Sequence, residues 1–287
     1  MAIELALSAL TSGLVQGSLY ALIGLGLGLI LGAMRIVNLA HGEVLVAGAL
    51  LAYVLITTLD LPLGWAIISG AVLGTLLGLL IYFSLLPVRK EPPLSGMTLT
   101  YGVALILLYG MLELFGANLR NITPSEWIRP ITLGPIRLAL GEAVVLLVAF
   151  FLVGGTAWFL QSTWTGLAVR ALAQNREAAL ALGISPLRTE ALTLVLGSSL
   201  AGLAGSLLVT LQPVAPLAAP LYTAKAFVVV VLGGLSSPLG VGLAGLFLGV
   251  FEALAGLLNP ALGELFVFGA FLLALLLGRQ GLLGGRA

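Results

Sequence analysis

Residues 161–190 read QSTWTGLAVRALAQNREAALALGISPLRTE, a polar segment set between two long apolar runs. Arg170, Gln174 and Glu177 recur in it at helical spacing and are expected to share one face. Gly183 falls where such a helix stops, and Pro186 just beyond it disfavours continuation. Ser185-Pro186 then reads as the N-cap and first position of the next helix. A short polar-faced helix is thus held between two spans. On spacing alone it is either a solvated connector or a surface shaped for a partner.

Composition decides what the flanking runs are. The 287 residues are 60% hydrophobic and only 8% charged, with a mean hydropathy of +1.20. A soluble domain carries about 25% charge, so this is an integral membrane protein. The formal net charge of +1 offers no basic field for nucleic acid. The chain has no cysteine and one histidine, so disulfides, thiolate sites and a protein-built zinc site are not expected. Its two lysines, Lys90 and Lys225, do not follow glycine, which rules out a phosphate-binding GK[ST] loop in this chain. No G-x-S-x-G elbow accompanies His41. An enzyme is not expected, and no cofactor is expected in this chain. The start, MAIELALSAL, lacks a basic n-region and carries Glu4, so the first apolar run reads as a span rather than a signal peptide.

Charge-free intervals locate the spans. They run from Glu4 to Arg35, Asp60 to Arg89, Glu91 to Glu113, 143–169, 191–224 and 226–251, with a short last one between Glu264 and Arg279. A further crossing from about Leu39 to Leu59 carries His41 and Glu43. The expected fold is an all-α polytopic bundle of roughly eight or nine transmembrane helices, one domain spanning 1–287 with one or two broken or half helices. The break is expected at Gly233-Gly234-Leu235-Ser236-Ser237-Pro238, and Ala226–Leu232 before it is expected to be a half-helix.

With the 161–190 loop inside, Arg35, Arg89, Lys90, Arg170, Arg176, Arg188, Arg279 and Arg286 fall on the cytoplasmic side; Arg120, Arg129, Arg137 and Lys225 fall outside. The N-terminus is then external and the C-terminus cytoplasmic. Glycines at four-residue spacing, Gly24/Gly28/Gly32, Gly70/Gly74/Gly78 and Gly245/Gly249, are expected to line faces where neighbouring backbones approach closely. Asn118–Leu140 is the longest external segment, and its Trp127 reads as an interfacial anchor or part of a docking surface.

Ionisable groups inside a membrane are functional candidates. Asn38 and His41 share a face, and Gly42 offers a break that would turn Glu43 toward the same cavity. The alternative places them at the interface, capping a helix and pairing with Arg35. Lys225, expected at the external start of the half-helix, and Glu252 in the following span are further pathway candidates.

Three separated motifs carry a family resemblance. Glu177-Ala178-Ala179, followed by Gly183-Ile184, resembles the EAA loop of ABC importer permeases. Gly17–Leu22, Ile36–Glu43, and Lys225-Ala226-Phe227 with Val231–Gly234 resemble the matching segments of the LivH family of branched-chain amino-acid permeases. The resemblance implies a permease subunit in a prokaryotic plasma (inner) membrane, with a coupling helix that fits a cleft on the ATPase. It also implies two ATPase subunits, a second LivM-like permease subunit or a second copy of this chain, and a soluble binding protein that delivers branched-chain or other small neutral amino acids. A secondary transporter or channel is the other class compatible with a helix break near 233–238.

Overall fold

The computed structural model describes residues 2–89, 91–122, 127–133, 136–234 and 237–277. In chain order the elements are α1 (Ala2–Met34), α2 (His41–Thr57), α3 (Leu63–Leu85), α4 (Pro93–Phe115), β1 (Pro130–Leu133), β2 (Ile136–Ala139), α5 (Leu140–Ser162), α6 (Trp164–Gln174), α7 (Arg176–Ala181), α8 (Pro186–Leu211), a 3₁₀ turn (Pro216–Ala218), α9 (Ala219–Gly233), α10 (Pro238–Gly256) and α11 (Pro260–Leu277). Among the described residues seven helices are long and apolar enough to cross a membrane; His41–Thr57 and Leu262–Leu272 are shorter apolar helices. Helices close every backbone hydrogen bond within one segment, which hydrocarbon requires. The protein is a multi-pass, all-α membrane protein.

Glycine decides how these helices pack. α1 and α10 run antiparallel, and a side chain at Gly13 or Gly17 would meet the α10 backbone at Val250 and Leu246, 2.7 Å away. Gly197 of α8 lies against the Gly26 carbonyl, Gly202 against that of Gly70, and Gly205 against that of Leu45. Gly74 and Gly78 complete the α3 row against Ser198 and Leu194 of α8. Lipid supplies no hydrophobic drive between helices, so these small-residue seams are where dispersion and backbone contact hold the bundle. α1 and α8 form its buried axis, whereas α4 and α5 lie at its edge.

Several connections differ from the sequence reading. The chain does not break at Gly42. It turns at Arg35, whose φ is +56°, and residues 36–40 return along α4, where Leu39 N donates to Thr100 Oγ1 at 3.2 Å. α2 therefore starts at His41, beside Ile23 of α1. Ile23 lies eleven residues before the end of α1, roughly 16 Å into the bundle. Asn38, His41 and Glu43 are all buried, and among the described residues no ion pair joins any of them to Arg35.

The break at 233–238 is where expected, with Gly234 at φ +83°. The helix before it is not the short Ala226–Leu232 piece, however. α9 begins at Ala219, led in by the 3₁₀ turn, so Lys225 sits within the helix and is buried rather than placed at an external start. At the α4–α5 end, β1 and β2 form a small antiparallel hairpin. Trp127 packs over Gly141 at the start of α5, and Arg120 pairs backbone to backbone with Val214 beyond α8.

Candidate functional site

The polar loop is two helices rather than one. Asn175 leaves helical geometry (φ −147°, ψ 105°) and its Oδ1 accepts from Ala178 N at 3.1 Å, capping a new helix, α7. Arg170 and Gln174 stay on α6 while Glu177 moves to the first turn of α7, so the three do not share one helical face. An asparagine three residues before a helical amide was the available signal for this break. Gly183 ends α7 with φ +80°. Its N–H donates to the Leu180 carbonyl at 2.9 Å, and Ile184 N donates to that of Ala179 at 3.0 Å, the paired bonds of a Schellman motif.

Ala179 is buried against Ala33 and Leu172, with Ile184 packed beside them. On the other side Glu177, Ala178, Leu180 and Leu182 are exposed, Leu182 by 80%. A six-residue helix presenting leucines to solvent gains nothing from its own fold by doing so.

What fixes this helix is a residue outside the predicted set, Glu190 in the second turn of α8. Its side chain is 3% exposed and accepts from Arg176 Nη1 at 2.7 Å and from Arg89 Nε at 3.0 Å. Tyr82 Oη donates to the Leu187 carbonyl at 2.8 Å beside it. One carboxylate thus ties α7 to α8 and to the α3–α4 turn. Arg170 is half-buried, with Nε enclosed and unpartnered, and faces a cavity of about 340 Å³. Gln174, Arg35 and the α9–α10 turn at Ser237 and Pro238 share that cavity. Arg35, Arg89, Arg170 and Arg176 therefore lie at one end of the bundle, as the charge pattern groups them.

Deeper in the bundle, the start of α2 gathers the predicted trio. His41 Nε2 lies 3.0 Å from the Ile23 carbonyl, so it carries the proton and donates, leaving Nδ1 as a buried unpartnered acceptor. Asn38 Oδ1 accepts from Ala40 N at 3.1 Å, while its Nδ2 finds no partner. Gly42 N donates to Thr223 Oγ1 of α9 at 2.8 Å, and a side chain at Gly42 would run into the Ala219 carbonyl. Glu43, 2% exposed, has a buried and unpartnered Oε2 and faces a cavity of about 510 Å³ between α4 and α9. Asn38 and His41 do not line that cavity.

Lys225 belongs to a third cluster. Its Nζ donates to Glu252 Oε1 at 2.6 Å and to Tyr20 Oη at 2.8 Å, and Gln16 Nε2 donates to the same tyrosine at 3.0 Å. This pins α9 to α1 and α10 and keeps Lys225 out of both cavities. Gly233 lets the backbone of α9 close onto Gly240 and Val241 of α10, and Gly234 makes the turn. Among the described residues no three His, Asp or Glu side chains are grouped to hold a metal ion.

The described residues thus form a many-spanning bundle with an exposed, tethered loop helix at one end and an open cavity beside Glu43. The family of the branched-chain amino acid transport system, permease component, matches residues 9–281. The chain is 30% identical over 299 residues to the high-affinity branched-chain amino acid transport system permease protein LivH of Escherichia coli K12, covering 97% of this chain and 95% of that protein. It is 31% identical over 301 residues to the corresponding permease protein BraD of Pseudomonas aeruginosa, with the same coverage. A probable branched-chain amino acid transport permease protein LivH of Methanocaldococcus jannaschii is 27% identical over 251 residues, 85% of this chain and 79% of that protein. No solved structure matches. The chain belongs to this family, the LivH-type transmembrane permease subunits of ABC importers.

Proposed function

We propose that this permease carries branched-chain amino acids inward, driven by two ATPase subunits that grip α6 and α7 from the cytoplasm. The α7 helix carries the reading: its Glu177-Ala178 and Leu180-Leu182 surface is exposed, its end is locked by Gly183, and its root is held by Glu190. In this reading Arg170, Gln174, Glu177, Ala178, Ala179 and Gly183 form the coupling loop. Asn38, His41, Glu43, Lys225, Gly233 and Gly234 shape the pathway, with Lys225 holding α9 in place rather than touching substrate. A second LivM-like permease subunit, or a second copy, completes the pathway. A soluble binding protein docks at the hairpin end, which faces outward, in the inner membrane of a prokaryote. The N-terminus is then external and the C-terminus cytoplasmic.

The test is Gly183→Arg in the co-expressed transporter. No atom of the chain lies within 4 Å of a side chain placed there, so the membrane bundle has no clash to absorb. The left-handed φ costs a non-glycine residue roughly 1 kcal/mol or more, and the long cation stands on the surface that meets the ATPase. Normal membrane levels are expected, with weakened co-purification of the ATPase and loss of ATP-driven leucine uptake. Full uptake with the ATPase still bound refutes the coupling role of α7. Uptake by the native chain without any ATPase supports a self-sufficient carrier instead.

A further inference from the structure

The cavity beside Glu43 has a chemical asymmetry that points to its occupant. Its wall is mainly apolar, formed by Met97, Leu105 and Leu108 of α4 and Phe227 of α9. Glu43 supplies the carboxylate. That carboxylate is almost fully buried and Oε2 has no hydrogen-bond partner. Among the described residues no ion pair reaches Glu43; Lys225 pairs with Glu252 and bonds Tyr20, and Arg89 and Arg176 pair with Glu190. A buried carboxylate without a cation is costly, and within a membrane span such a group marks a ligand or ion pathway. What the site lacks is therefore a cation, delivered together with an apolar body that fits about 510 Å³.

We propose that Glu43 is the ammonium acceptor of a substrate subsite within the membrane. The α-ammonium of an aliphatic amino acid pairs with Oε2, and the branched side chain lies among Met97, Leu105, Leu108 and Phe227. This deepens the transport reading above and rests on it. Thr223 serves as a positioning residue: its Oγ1 holds the Gly42 amide, which fixes the turn that aims Glu43. The ammonium, common to all α-amino acids, is read by charge, and the aliphatic side chain is read by the wall.

Equilibrium binding of radiolabelled leucine to the purified permease–ATPase complex tests this, with two competitors that each lack one half of the zwitterion. Isoamylamine keeps the ammonium and loses the carboxylate; isocaproate does the reverse. On the native complex isoamylamine should displace leucine and isocaproate should not. Glu43→Gln should weaken leucine binding at least tenfold and abolish competition by isoamylamine, with Glu43→Asp retaining part of it. An assembled, monodisperse complex is the folding check for each variant. Leu105→Trp, which narrows the cavity and leaves the carboxylate in place, should lower leucine binding independently. Equal displacement by both competitors overturns the proposal, as does native-like leucine binding by Glu43→Gln, while the transport reading stands. A native complex that binds no leucine overturns the subsite, while loss of ATP-driven leucine uptake by the native transporter is what overturns the transport reading.

Discussion

Glu190→Gln separates a loop that is merely attached from one that is held in position. In the native chain a single carboxylate, 3% exposed, accepts from Arg176 at 2.7 Å and from Arg89 at 3.0 Å. The amide keeps the volume but removes the charge and turns one donor toward an arginine. Breaking a buried ion pair costs about 3–5 kcal/mol. Here the arginine side chains are 28% and 35% exposed, so water recovers part of that cost. A loss of about 2 kcal/mol is expected, roughly 30-fold in the equilibrium between docked and undocked α7. Amide hydrogen exchange in detergent or nanodiscs reads this directly: protection over residues 176–184 should fall about that much, while the middle of α8 stays protected. A double-mutant cycle with Arg176→Gln should be non-additive, because both substitutions remove the same bond. Unchanged exchange across α7, or strictly additive effects, would show that the pair is a surface ornament and that α7 is held by the Ala33–Leu172–Ala179 contact alone.

Two further outcomes follow from the packing. Lys225→Met should strand the Glu252 carboxylate and reduce thermal stability by about 3 kcal/mol, and the double variant Lys225→Met/Glu252→Gln should recover most of that loss in a detergent melt. Gly202→Leu, driven into the Gly70 carbonyl, should abolish folded yield by size-exclusion chromatography, whereas Gly154→Leu, with nothing within 4 Å, should leave it unchanged.

The helical class and the spans were legible in the sequence because hydrocarbon length and charge exclusion act on each segment separately. The rows at Gly70, Gly74 and Gly78 and at Gly245 and Gly249 were legible for the same local reason, whereas Gly24 and Gly28 meet the side chains of Val229 and Val230 rather than a backbone. Gly183 and Gly234 could be read as turns because left-handed φ selects glycine. Partners could not be read this way. Lys225 looked like the end of a span because it is a charge, but Glu252 and Tyr20 neutralise it inside the bundle. Nothing in the sequence set Glu190 apart, since its two arginines lie 14 and 101 positions away. Periodicity carried straight through Asn175, because the break there is made by one side chain capping a new helix.

These placements put α9 between the two sites. At its first turns Thr223 holds the Gly42 amide beside Glu43, and Phe227 lines the same cavity. At its far end the turn to Pro238 shares a cavity with Arg170 and Gln174 on α6. Beside Thr223, Lys225 fastens the helix to α10 through its ion pair with Glu252 and to α1 through its hydrogen bond to Tyr20. Across the Arg170 cavity α6 faces α1 and the first residues of α10, Pro238 and Val241. Adjacency alone is not coupling. α9 is capped by Gly234, whose φ is +83°, and bonds at Thr223 and Lys225 tie it to α2, α1 and α10. α8 is held instead by glycine seams at Gly197, Gly202 and Gly205 and by the Glu190 ion pairs in its second turn. Through Thr223 and Phe227 at one end, and the turn into Pro238 at the other, α9 joins the Glu43 cavity to the cavity that α6 lines.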